Sequence, residues 1–261
     1  AGEEQQSADQ QQVLDVQFHG GQDTVERGVV SAPMNRNVLL LHGALGSARQ
    51  LKALQDRIGG HAIDLSGHGG REIPSDGIRF EQFINDIGSA FEEQMWERAD
   101  LFGYSMGGYA AMLYAARHPE RVRSVVTLGT KYIWTEEGLQ KELRMLDSEV
   151  MEQKVPAFAR ALSEEHGPAR WKDVVRAIAK SMSELAPMPL LTPEVCSRIQ
   201  CPVLICVGEN DGTAVPEDTR LFARGIRGAE VFILPNTPHP FSKVDLDYFV
   251  LRLNEFWSAI R

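Results

Sequence analysis

Six short, almost wholly apolar runs limit what this chain can fold into. They are Val38 to Leu41, His61 to Leu65, Asp100 to Tyr104, Val122 to Leu128, Val203 to Val207 and Glu230 to Leu234. Runs of this length that do not alternate with polar residues suit strands covered on both faces, as in parallel sheets. Helical patterns separate them: Ala48 to Ile58, Phe80 to Trp96, Met106 to Arg117, Pro216 to Ala223 and Leu246 to Ile260. This alternation predicts an α/β fold, a mostly parallel sheet with helices on both faces. Ahead of it, Val13 to Phe18 alternates apolar and polar residues, Gly20-Gly21 reads as a turn, and Thr24 to Val30 is a weaker strand. That pair predicts an antiparallel hairpin at a sheet edge.

The rhythm breaks between Leu128 and Val203. Leu139, Leu143, Leu146 and Val150 recur at helical spacing, as do Trp171, Val174, Val175, Ile178, Met182 and Leu185. Pro156, Gly167-Pro168 and Pro187-Met188-Pro189 punctuate the segment. The pattern predicts a helical cap of three or four helices over residues 131–199, inserted into a core formed by 13–130 and 200–261. Residues 1–12 are polar and Gln-rich, as a disordered tail or an added leader would be.

Composition removes several classes of function. A net charge of −9 leaves no electrostatic footprint for nucleic acid, and no polybasic cluster marks a membrane surface. No apolar stretch reaches the ~18 residues of a membrane span. Cys196, Cys201 and Cys206 are odd in number and spaced unlike a zinc site. They suggest a reducing, cytoplasmic setting, although a signal peptide removed before Ala1 is compatible with the same residues.

Chemistry is concentrated at Gly103-Tyr104-Ser105-Met106-Gly107, a G-x-S-x-G motif between an apolar run and an Ala-rich helical pattern. In that setting the serine occupies a tight strand-to-helix turn, and side chains two residues away on either side would collide with it. Ser105 is the candidate nucleophile. His42-Gly43-Ala44-Leu45-Gly46 follows the first apolar run, so the N–H groups of Ala44 and Met106 are the candidate oxyanion donors, and His42 reads as a loop fastener. Asp211 follows the fifth run and is the candidate acid, with Glu209 and Asp218 as rivals. His239 follows the sixth run, 28 residues beyond Asp211, and is the candidate base. Tyr132, Trp134 and Met145 are candidate pocket-lining residues.

These motifs resemble the α/β-hydrolase superfamily over roughly Val13 to Ile260. Asp64-Leu65-Ser66-Gly67-His68-Gly69 is similar to the family's D-x-P-G-H-G loop, and Arg117-His118-Pro119-Glu120-Arg121-Val122 is also family-like. The resemblance implies an eight-stranded, mostly parallel sheet, a Ser–Asp–His catalytic triad, a helical cap after the sixth strand and no cofactor. The sequence departs from the pattern at Ser66, where the family has proline, and at Pro238, where glycine usually precedes the histidine. Ser105 excludes the aspartate-nucleophile dehalogenases. Ser105-Met106-Gly107-Gly108 is shared with carbon–carbon bond hydrolases and with a menaquinone-pathway lyase, which tends to carry Arg where this chain has Tyr109.

The expected reaction is hydrolysis of a small-molecule carboxylic ester through an acyl-enzyme on Ser105. Carbon–carbon cleavage on the same fold is the first alternative. A small-molecule receptor with little turnover is the second.

Overall fold

A computed structural model describes residues 36–260. The expected hairpin of Val13 to Val30 and the tail before it lie outside the described residues.

The six apolar runs are six parallel strands: β1 (Val38–Leu41), β2 (His61–Ile63), β3 (Ala99–Tyr104), β4 (Val122–Leu128), β5 (Val203–Gly208) and β6 (Glu230–Leu234). They join in the order β2-β1-β3-β4-β5-β6. Leu40 is in register with Ala62 on one side and Phe102 on the other. Successive side chains leave a strand on opposite faces, and the core divides accordingly. Leu39, Leu41, Leu101, Val125, Val203 and Ile205 pack into one apolar cluster. Val38, Leu40, Phe102, Val126, Leu204 and Cys206 pack into another. Each face therefore needs its own layer of helices. The first face is covered by α2 (Phe80–Glu93) and α3 (Met106–Arg117), the second by α1 (Lys52–Ile58) and α10 (Leu246–Ala259).

The sequence predicts one helix over residues 48–58, but the structure divides it. Ala48–Leu51 is a 3-10 turn that leads into α1. Its start is held by side chains: Ser47 accepts from the N–H of Arg49, and Asp64 accepts from that of Ala48. The second helix stops at Glu93, because the chain turns to positive φ at Met95.

Between β4 and β5 the chain forms five helices where three or four were expected: α4 (Glu136–Met145), α5 (Ser148–Lys154), α6 (Pro156–His166), α7 (Trp171–Leu185) and the single-turn α8 (Pro193–Cys196). The extra breaks come from local chemistry. Asp147 accepts the N–H groups of Glu149 and Val150 and starts a new helix. Pro156, which has no N–H to give, starts the next at its first turn. The α9 helix (Pro216–Ala223) returns the chain to the core.

Strand order sets the position of the site. From β1 the chain moves outward to β2, then crosses back to β3 on the opposite side of β1. Order reverses between β1 and β3, so the loops leaving their C-terminal ends diverge and leave a crevice. The loop from residue 42 and the turn at Ser105 border that crevice.

Candidate active site

Ser105 stands at the junction of β3 and α3 with φ 50° and ψ −115°. Few non-glycine residues adopt this backbone, which costs about 1–3 kcal/mol and persists only where the surroundings enforce it. Here the surroundings are backbone. A Cβ on Gly103 would lie 2.4 Å from Gly107 C and Gly108 N. One on Gly107 would lie 2.3 Å from the carbonyl oxygen of Leu41. The turn is pinned from both sides. The Ser105 N–H donates to Leu128 O at 2.8 Å, and the Thr130 hydroxyl donates to Ser105 O at 2.9 Å. Met106 is the first residue of α3, so its N–H belongs to the helix end that favours negative charge. The Ser105 hydroxyl makes no hydrogen bond among the described residues.

Asp211 and His239 come together. His239 Nδ1 lies 2.8 Å from Oδ2 and 3.0 Å from Oδ1 of Asp211. Oδ1 also accepts the N–H groups of Thr213 and Ala214. Burial alone would push the imidazole toward the neutral form. The Asp211 charge and hydrogen bond outweigh burial and raise its pKa above the usual value. The pair is tied to the serine turn through Tyr104, whose hydroxyl donates to His239 O at 2.8 Å. Gly129, at φ 62°, passes beneath it, and a Cβ there would lie 3.2 Å from Asp211 Oδ2 and 3.3 Å from His239 Nδ1. Glu209 is turned away and accepts the N–H of Asn236.

The loop carrying Ala44 is fastened by histidine. His42 Nδ1–H donates to Gly43 O at 2.8 Å, and the Leu65 N–H donates to His42 Nε2 at 3.0 Å. One nitrogen gives and the other accepts, so the ring is neutral. Burial pushes its pKa down to about 4. His166, the last residue of α6, does the same across two loops. It donates from Nε2 to Leu45 O at 2.9 Å and accepts the Gly69 N–H at Nδ1. His68 lies between them, 4.9 Å from the His42 ring and 6.0 Å from that of His166.

A cavity beside Ser105 and Met106 is walled by Phe80, Tyr109, Trp134 and the α7 residues Ile178, Met182 and Leu185. Trp134 therefore borders it. Tyr132 is packed beneath, stacked on Phe222 at 3.8 Å with its hydroxyl donating to Thr127 Oγ1. Met145, at the end of α4, is not among the lining residues. Lys131 and Glu142 do line the cavity, and they form an ion pair of 3.1 Å. Nothing in the sequence singled them out.

A family model described as alpha/beta hydrolase fold matches residues 36–172, more than half of the chain. The chain belongs to the α/β-hydrolase family. A serine hydrolase-like protein of Danio rerio is 35% identical over 111 residues, 40% of this chain and 34% of that protein. The pimeloyl-[acyl-carrier protein] methyl ester esterase of Chromobacterium violaceum is 25% identical over 80% of this chain and 87% of its own. Curated relatives with at least 30% identity are matched over only 28% to 37% of their length. Among solved structures, a thermophilic esterase from Thermogutta terrifontis superposes with a TM-score of 0.68 at 20% identity, covering 87% of this chain and 91% of that one. Among the described residues no helix is long and apolar enough to cross a membrane.

This α/β-hydrolase departs from the D-x-P-G-H-G motif at Ser66, and the structure gives the reason. The Ser66 N–H and hydroxyl donate to the two oxygens of the buried Asp86 carboxylate at 2.7 and 2.9 Å, and Arg71 completes its neutralisation. Proline could supply neither donor.

Proposed function

We infer that this chain is a serine hydrolase of small-molecule carboxylic esters, with Ser105 as nucleophile, His239 as base and Asp211 as acid. The observation that carries the reading is the Asp211–His239 pair, bonded through Tyr104 to the turn of a serine that is forced to positive φ and lines a cavity. Asp211 occupies Nδ1, which leaves Nε2 for the seryl proton. As that proton moves to Nε2, Oγ bonds to the ester carbonyl carbon and the carbonyl electrons pass to oxygen. The N–H groups of Ala44 and Met106 receive the oxyanion; each such donor is worth about 3–4 kcal/mol. Collapse breaks the bond to the alkoxy oxygen, which leaves as alcohol with the proton from Nε2. Water then repeats the sequence on the acyl-serine and restores Ser105.

The core and cap assignments, 13–130 with 200–261 around 131–199, place the cavity between the two layers, with Phe80 and Ser105 from the core and Ile178 and Leu185 from the cap. The three thiols are free and buried, which supports the expectation of a cytoplasmic, reducing setting.

The test compares the parent with Ser105→Ala on short p-nitrophenyl esters, with β-diketones as a parallel panel. The reading expects a loss of about a millionfold in kcat, down to background. An unchanged rate rejects it, and turnover of diketones without ester cleavage moves the assignment to carbon–carbon hydrolysis. Tyr109 stands where the lyase tends to carry Arg, which weakens that reading; its hydroxyl accepts the N–H groups of Leu190 and Leu191 in the loop between α7 and α8.

A further inference from the structure

The ion pair on the cavity wall has a composition that packing alone does not require. Lys131 lies in the segment that leaves β4 and Glu142 belongs to α4, so the pair joins the start of the inserted segment to its first helix. Their side chains are 16% and 12% exposed, in a cavity whose other walls are mostly aromatic and aliphatic, with the hydroxyls of Ser105, Ser181 and Thr213. Taking both charges out of water is costly, and an apolar pair would fill the same wall at less expense. Both charges also reach the proposed base, since Glu142 raises and Lys131 lowers the pKa of His239.

A count of donors and acceptors shows what the wall can offer. An ammonium has three N–H groups. One of Lys131's is directed to Glu142 Oε1, and the cation sits 4.7 Å over the Trp134 ring. Glu142 keeps Oε2 as an acceptor. Trp134 adds a buried indole N–H with no partner among the described residues. The ion pair and Trp134 thus carry surplus donors beside one surplus acceptor, with the two formal charges already cancelled. A carboxylate would meet Glu142, and an ammonium would meet Lys131. A neutral group that accepts and donates side by side meets neither penalty.

We propose that Lys131 and Glu142 are specificity-determining residues that recognise an amide group carried by the ester substrate, the amide carbonyl accepting from Lys131 and the amide N–H donating to Glu142. The proposal rests on Ser105 hydrolysing esters.

The experiment uses the full chain and two activated esters of the same shape: p-nitrophenyl N-acetylglycinate, and p-nitrophenyl 4-methylpentanoate, in which the amide is replaced by hydrocarbon. Each rate is corrected for spontaneous hydrolysis. The ratio of kcat/KM, amide over hydrocarbon, is expected to fall about tenfold from the parent to Lys131→Met/Glu142→Leu, equivalent to ~1.4 kcal/mol. Glu142→Gln, which keeps a carbonyl acceptor, should retain part of the preference. An equal loss on both esters would mean that the pair only fastens α4 to the segment leaving β4, and would overturn the proposal. So would a ratio that does not move, or a parent that prefers mono-p-nitrophenyl glutarate, whose acyl end is anionic. If the parent hydrolyses no ester, the Ser105 reading fails by itself. The pair is then judged by binding of N-acetylglycinamide, followed by tryptophan fluorescence: a response in the parent that the double variant loses supports it, and its absence from the parent refutes it.

Discussion

Asp211 holds Nδ1 of His239 with both carboxylate oxygens, at 2.8 and 3.0 Å, and has one of those oxygens fixed by two further N–H groups. The imidazole can turn little without breaking this grip. Two consequences can be measured.

Asp211→Asn keeps the shape and removes the charge. Loss of the carboxylate should reduce kcat by about 10⁴, the scale seen when the acid of such a triad is neutralised. Hydrolysis needs the imidazole unprotonated, so the parent rate should rise with pH through a pKa above the usual histidine value. In the variant only Glu142 still opposes burial, and the acidic limb of the pH–rate profile should move to lower pH. A limb that stays in place would show that the carboxylate does not control this proton.

Gly107→Ala tests the serine turn. Its Cβ would lie 2.3 Å from Leu41 O and 2.6 Å from His42 O, both backbone atoms that cannot rotate aside. A loss of about 1–3 kcal/mol in urea unfolding is expected, with a larger fall in activity as Ser105 is displaced. Gly70→Ala, where nothing lies within 4 Å, is the control and should alter neither.

Ser66→Pro would restore the family residue and should nevertheless destabilise this chain. Asp86 would lose two donors and keep Arg71. Hydrogen bonds to a charged group contribute about 1.5–3 kcal/mol each. Ser66→Ala, which removes only the hydroxyl, should fall between parent and proline. A proline variant as stable as the parent would show that Asp86 is satisfied in some other way.

Acid should weaken the fold through three histidines. His42, His68 and His166 are buried, and each is held below its usual pKa by desolvation. The unfolded chain therefore takes up protons that the folded chain refuses. Stability is complete above about pH 6.5 and falls as pH drops toward about 4, the value for His42. His239, with its raised pKa, acts in the opposite sense and contributes stability that is lost as pH rises. Three groups against one give a net loss toward acid. In urea titrations at stepped pH, His166→Gln should flatten the slope, by at most about 1.4 kcal/mol per pH unit. An unchanged slope would remove His166 from this account.

How far the sequence carried the reading depended on the range of the interaction. Strands buried on both faces announce themselves as unbroken apolar runs, so Val38 to Leu41 matches its strand at both ends, and the mostly apolar Val122 to Leu128 and Glu230 to Leu234 do so as well. Gly103 was legible because the clash it avoids is set within five residues, and Gly107, which faces Leu41 O and His42 O, was legible through the G-x-S-x-G pattern alone. The 3-10 turn at Ala48–Leu51 was not, since Asp64, sixteen residues on, helps to stabilise it. The number of helices between β4 and β5 was underestimated because single capping residues, Asp147 and Pro156, outweigh a continuous apolar stripe. Lys131 and Glu142 left no trace at all. Each is an ordinary surface residue by type, and only the descent of α4 onto the end of β4 encloses them. Tyr132, expected at the pocket, is turned under the sheet's end by Thr127 and Phe222.

One ring joins the roof of the molecule to its floor. His166 ends α6 and bonds Leu45 and Gly69, in two separate loops below. A hinge that raised this helix to admit a molecule would also release the segment that steadies Ala44. Any loosening of the helical layer at His166 would therefore be felt at the proposed oxyanion donor beside Leu45 as well.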